Sequence, residues 1–310
     1  MKKIYWLMGL LIFSCNVIAS PVTICAYDPS GEGGTIANFA TKLSDNYREL
    51  GLEPKLKVFK NDLVIRKKFQ TNNCDAMFVI GFMVRNYNRF SSSLEAFGLI
   101  QKNEQIEQAF ELINRPELAD QFSKDGYEVT GVFPLGLSYL VSTHSRANNI
   151  EELNKKSFFI NRKEPALTLL SKELAMNRVH GNSKTFISKL QRQEVDYVLL
   201  PLLAVDALDL YKKIAQQGQI INMPIRLLTM QMIINQKKFP KGFGKQARLA
   251  STDYSRSLMR KIRTIEEGLK PLLKPLSAEE KKQWDQRLQA VQEKMVNEGH
   301  YSPELLHSFQ

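Results

Sequence analysis

Apolar and polar positions along the chain change their period repeatedly. Residues 22–27, "VTICAY", form a short apolar run that reads as a strand. A glycine-rich turn follows. Across residues 35–50, Ile36, Phe39, Ala40, Leu43 and Tyr47 then recur at three- and four-residue spacing, the stripe of an amphipathic helix. In "GLEPKLKVFK" a turn gives way to alternation, Leu56, Val58 and Lys60 against Lys55, Lys57 and Phe59, which predicts a second strand. After a short helix, "CDAMFVI" is the near-continuous apolar run of a buried parallel strand. Residues 106–124 read as helix interrupted near Pro116, and "YEVTGVFPLGLSYLVSTH" as two strands joined around Pro134 to Gly136.

A second unit repeats the alternation: "SFFI", helices over 165–176 and 183–192, then "VDYVLLP". "IRLLTMQMIINQ" reads as a late strand returning to the first unit. From Ser251 the pattern is helical. Ser277 and Glu280 make a capping box ahead of a long helix with Trp284, Leu288, Val291 and Met295 on one face. Two α/β units with an outward crossing and a return predict two lobes and a cleft between them. Crevices outside the carboxyl ends of strands are where open α/β sheets take ligands. The expected division is a leader over 1–19, a first lobe over 20–126, a second lobe over 127–223, a return over 224–250 and C-terminal helices over 251–310.

Composition changes this picture in two ways. Lys2 and Lys3 precede an apolar run and small residues, the pattern of an export signal cut after Ala19, with Val17 at the minus-three position. A rival reading takes "IFSC" as a lipobox and anchors the chain through a lipid on Cys15. Either way the expected location is the periplasm. Export leaves Cys25 and Cys74, which in an oxidising compartment suggest one disulfide; two buried free thiols are the alternative. If the first and third strands are neighbours, the two cysteines lie at matching ends. Closing that loop of about fifty residues stabilises by roughly 4 kcal/mol on the chain-entropy model. The formal charge is +11, and residues 236–310 hold fifteen Lys and Arg against nine Asp and Glu. Export removes nucleic acid as a partner for that basic quarter, which leaves an anionic ligand, a lipid surface or a solvated helical face.

The chemistry is that of binding. The loop after the first strand misses the dinucleotide fingerprint, because Ile36 stands where the third glycine belongs, and no Gly-Lys-Ser/Thr completes a P-loop. Asp28 and Glu32 would repel phosphate. Tyr27, Asp28, Ser30, Gly33 and Thr35 therefore read as one wall of a cup for a polar ligand, or as a tight turn with a helix cap. Gly81, at the end of the third strand, permits close backbone approach to the ligand and continues the same wall, and Arg85 could enter the cleft or form a surface or interlobe ion pair. Asn161 and Arg162 follow a strand of the second lobe, where an arginine can grip a carboxylate through two parallel bonds. Pro201, which ends another strand, would form the other wall with Asn161 and Arg162, and the return strand could contribute Gln231 or hold it as an ordinary strand residue. No hydrolase elbow or H-E-x-x-H motif is present, and the four histidines lack metal-ligand spacing, so neither catalysis, a metal nor a cofactor is expected.

"VTICAYD", "NCDAMFVIGFMVRNYNRF", "EVDYVLLPLLAVDALDLYK" and "LTMQMIINQKKFPKGFGKQAR" together resemble exported solute-binding proteins similar to the periplasmic receptors of TRAP transporters (DctP-like). "FPKGFG" and "RNYNRF" are the most specific pieces. The resemblance implies a type II-like periplasmic-binding-protein fold with a helical C-terminal segment. It also implies a monomer that closes over a small polar or anionic ligand and hands it to a membrane transporter component. In that family an arginine within a strand of the second lobe holds the ligand. Here Phe159 falls near that position, and Arg162, the candidate anchor, falls about three residues later. Some members carry a label as RND-type efflux-pump components in aminoglycoside resistance, so an accessory envelope protein is the alternative, and an exported enzyme a more distant one.

Overall fold

The computed structural model describes residues 20–309. The leader over 1–19 and Cys15 lie outside the described residues. The chain begins with β1 (Ser20–Tyr27), α1 (Thr35–Glu49), β2 (Leu52–Phe59), α2 (Asp62–Gln70) and β3 (Ala76–Ile80). Short helical turns lead through α3 (Arg89–Ser92) to α4 (Asn103–Ile113), then β4 (Ser123–Lys124) and β5 (Tyr127–Ser142). Next come β6 (Ser157–Asn161), α5 (Pro165–Glu173), β7 (Asn177–Gly181), α6 (Ser183–Gln191), β8 (Val198–Pro201), α7 (Leu202–Ala207), α8 (Tyr211–Gln217) and β9 (Gln219–Ile221). β10 (Arg226–Asn235), α9 (Phe243–Leu269), β11 (Leu273–Lys274), α10 (Ala278–Asn297) and α11 (Pro303–His307) complete the order.

The main sheet runs β11-β9-β5-β10-β3-β1-β2, with β4 and β8 also pairing with β5. β1 pairs in parallel with β2 and β3, while β10 lies antiparallel between β3 and β5. Strand periodicity splits the first half of the sheet between two cores. Ile24, Ala26 and Phe78 pack under α1 and the start of α9, whereas Cys25, Met77 and Val79 pack against α2 and α4. Cys25 and Cys74 form the expected disulfide, Cα to Cα 5.9 Å.

β5 and β10 join the two halves. β5 is one strand of sixteen residues, where sequence pattern predicted two. Pro134 has no N–H for the ladder, and the register with β10 slips there, so that Leu135 bulges out and the strand bends without ending. Beyond the bulge β5 pairs with β8 and β9, and a separate parallel pair, β6-β7, completes the second side. α9 begins at Phe243, eight residues before the predicted helical onset, and at 27 residues is about 40 Å long. It reaches from Phe243, packed beside α1, to Met259 and Ile262 in the core that holds Leu202. α10 has the capping box, and its four predicted apolar residues are all buried, in one core with Leu167 and Leu170 of α5. Among the described residues no helix is long and apolar enough to cross a membrane, and no group of three or more His, Cys, Asp or Glu could hold a metal ion.

Candidate functional site

β1 ends at the opening loop, and the loop is held by one carboxylate. Asp28, 2% exposed, accepts from Ser30 N at 2.7 Å through Oδ1 and from Ala37 N at 2.8 Å through Oδ2. It thereby caps the first turn of α1 from nine residues away, a task Gly34 at the N-cap cannot perform. Two successive turns, Gly31 N to Asp28 O and Gly34 N to Gly31 O, carry the chain round. Gly31 and Gly33 sit at φ +88° and +89°, where a side chain would be strained. Asp28 is thus part of the loop's scaffold, while Glu32 is exposed.

Opposite this loop stand β6, α5, α6, β8 and α7. Phe159 of β6 meets Phe186 of α6 edge to face, centroids 5.2 Å apart. Leu167, Leu200 and Leu208 extend the apolar surface, and Asn161 is its polar exception. Between loop and wall lies a cavity of about 280 Å³. Two further recesses, beside α1 and between α4 and α9, take no residue from β6, α5 or α6. The recess beside α1 does reach Leu203 of α7, whereas the 280 Å³ cavity takes residues from the opening loop and from β6, α5, α6, β8 and α7 together.

Its inner corner is formed by Arg226, at the start of β10. Arg226 Nη1 donates to Glu164 Oε2 at 2.9 Å and lies 3.8 Å from Glu95 Oε2. Arg85 Nη2 reaches Glu164 Oε1 at 3.2 Å, tying the segment after β3 to the segment after β6. Glu164 and Glu95 are fully buried. Glu95 also accepts from Phe82 N at 2.9 Å and from Thr229 N and Oγ1, each at 2.7 Å. The guanidinium of Arg226 sits over the rings of Phe82 and Phe97, and that of Arg85 over Tyr301. Burial alone would raise the Glu164 carboxyl, but Arg85 and Arg226 beside it hold it below the usual carboxylate range. For Glu95 burial outweighs Arg226 and Thr229, and its carboxyl is pushed up.

Of the sequence candidates, Tyr27, Asp28, Ser30, Thr35, Asn161 and Pro201 line the cavity. Gly33, Gly81, Arg85, Arg162 and Gln231 stand outside its lining. Gly81 does permit a close approach, but to a protein group: a Cβ there would run into Thr229 Oγ1, Glu95 and Gln231. Gln231 is fully buried and committed to Ser91, accepting from Oγ at 2.9 Å and donating to its carbonyl at 3.0 Å. Arg85 takes the ion-pair alternative. Arg162 is exposed, and its backbone N donates to Gly181 O at 3.4 Å. Sequence reasoning missed Glu164, Arg226 and Glu95. A usable signal existed for Arg226, the one charge in the apolar run "IRLLTMQMII".

The sequence model of a family described as solute-binding protein AdeT 1/2 matches residues 44–306. The probable solute-binding protein AdeT1 of Acinetobacter baumannii is 24% identical over 222 residues, 72% of this chain and 73% of that protein. Among solved structures, a TRAP periplasmic solute-binding protein from Desulfovibrio salexigens with bound orotic acid superposes with a TM-score of 0.71 at 13% identity, covering 93% of this chain and 96% of its own. The ectoine-binding protein of the TeaABC TRAP transporter of Halomonas elongata gives 0.72 at 16% identity, covering 93% and 97%. These likenesses establish the two-lobe fold of TRAP receptors.

Proposed function

The chain belongs to the AdeT 1/2 family of solute-binding proteins, and from that premise we propose that it captures a small organic solute in the cavity between the opening loop and the β6–α6–β8 wall. One observation carries the choice of site: both sides of the molecule contribute to this cavity, and the Arg85–Glu164 pair bridges the same two sides at its corner. A ligand can favour a closed arrangement only through contacts it makes better there than in an open one, and a site shared by two lobes supplies them. Ser30, Thr35 and Asn161 supply hydroxyl and amide groups for orientation. The protein acts as an exported monomer, freed of residues 1–19 in the periplasm, and passes its solute to a membrane transporter component. The TRAP-receptor fold supports that delivery role.

The test is a thermal-shift screen of protein unfolded and refolded to strip any bound molecule, against carboxylates, amino acids, sugars, aminoglycosides and neutral aromatics. A ligand at a hundred times its dissociation constant adds about 2.7 kcal/mol to stability. A saturable hit that is lost when Leu200 is replaced by a charged residue supports the reading. A hit indifferent to every cavity substitution would move the site elsewhere.

A further inference from the structure

Resting on the solute-binding reading of this cavity, we propose that the solute is a neutral, mostly apolar molecule of about two fused rings with one hydrogen-bonding end, and not a carboxylate gripped by an arginine. The charges of the lining argue against an anion. Among the described lining residues Arg226 is the one cation and Asp28 the one anion. Arg226 has its charge balanced by Glu164 at 2.9 Å and Glu95 at 3.8 Å, its side chain only 6% exposed, while its Nε is a buried donor without a partner among the described residues. Arg85 is spent on the other oxygen of Glu164. Summed over these two arginines, these two glutamates and Asp28, the formal charge is −1; a proton on Glu95 brings it to zero. A carboxylate entering here loses its water and finds no lining cation whose charge is not already balanced by a carboxylate, which is costly.

The wall argues for an apolar body. Phe159 and Phe186 present ring surface, and Leu167, Leu200 and Leu208 continue it. Away from the Arg226 corner, uncharged polar capacity comes from a few groups. Ser30 and Thr35 offer hydroxyls, and Asn161 spends Oδ1 on Lys163 N while its amide nitrogen has no partner among the described residues. An engineered cavity of about 150 Å³ holds one benzene ring. The 280 Å³ here is about twice that, the scale of an indole or naphthalene framework.

The experiment compares matched pairs that differ only in charge, indole-3-acetamide against indole-3-acetate and 2-naphthamide against 2-naphthoate, by calorimetric titration of stripped protein at neutral pH. In parallel, the molecule released by unfolding freshly purified protein is identified by mass spectrometry. The expected result is saturable binding of the amides with dissociation constants at least tenfold below those of the acids. Acids that bind as well as or better than the amides overturn the inference and leave the solute-binding reading standing. If neither pair binds, the released molecule decides: a neutral apolar compound supports the inference and a carboxylate overturns it. No released molecule and no binding overturn both.

Discussion

Across the cleft, the loop after β1 and the wall of β6, α6 and β8 meet with different construction. The loop is shaped by backbone, with turns at Asp28, Gly31 and Gly34 and a single carboxylate clamping Ser30 N and Ala37 N. The wall is shaped by side chains, in which Phe159, Phe186 and Leu200 supply area and almost no polarity. A backbone-built surface is fixed by the fold and can change little without unfolding a helix terminus. A side-chain surface can be rewritten one residue at a time at the cost of one packing contact. Orientation of a solute thus belongs to the first side and its chemical class to the second. The two are fastened at the Arg85–Glu164–Arg226 corner.

Breaking that fastening has the largest expected effect. Glu164→Ala strands two buried guanidinium groups, and removing one partner of a buried ion pair costs roughly 3–5 kcal/mol. Urea unfolding followed by fluorescence measures it; a loss under 1 kcal/mol would mean that the corner is merely adjacent to the cleft. The same residue predicts a pH dependence. Because the folded carboxyl of Glu164 lies below its ordinary value near 4.3, the unfolded chain binds its proton first as pH falls. Its contribution is complete above that value and lost below it, as pH falls through the folded pKa. Glu95, raised by burial, works in the opposite direction and costs stability as pH rises through its own folded value. Glu164→Gln should therefore flatten the acid limb of the stability profile, whereas an unchanged limb would assign it to other carboxylates such as Asp196.

Much of this arrangement was legible from period alone. Strand-to-helix alternation, the capping box at Ser277 and the buried face of α10 all follow from local rules, and the structure agrees with them. What failed was either hidden by a local breaker or decided by tertiary partners. Pro134 and Gly136 look like a turn, yet β10 holds the strand together across a bulge. β7, "NRVHG", has no apolar alternation and exists because β6 pairs with it. Gly81 reads in the sequence as a place where backbone approaches a ligand, but the groups packed against it are Thr229, Glu95 and Gln231, all distant in the chain. Glu164 precedes a proline and reads as an ordinary helix cap, which it also is, accepting from Ala166 N. Nothing local reveals that two arginines converge on it.

A smaller effect is expected on the first side. Asp28→Ala leaves the amides of Ser30 and Ala37 without their acceptor, and Ala37 N is buried. An orphaned buried donor costs about 1–3 kcal/mol. Hydrogen exchange should locate the loss in the first turn of α1 and leave β6 and α6 as protected as before. Loosening on both sides would mean that the two walls are one cooperative unit.

The smallest effect falls on the residue that sequence pattern favoured. Arg162 lies beyond β6 on the exposed side of the turn into α5, outside the cavity lining. Its backbone bond to Gly181 survives truncation of the side chain. Arg162→Ala should change stability by no more than about 0.5 kcal/mol, the range of surface substitutions free of special features. It should also leave the affinity for an identified solute within about twofold. An arginine that anchors a carboxylate makes a charge-assisted pair, and losing it would weaken binding by tenfold or more. Such a loss, seen for an acidic solute, would mean that Arg162 enters the cleft with the ligand in place and that the second wall carries charge after all. A silent Arg162→Ala keeps the division intact, with a polar side built from backbone facing an apolar side built from Phe159 and its neighbours.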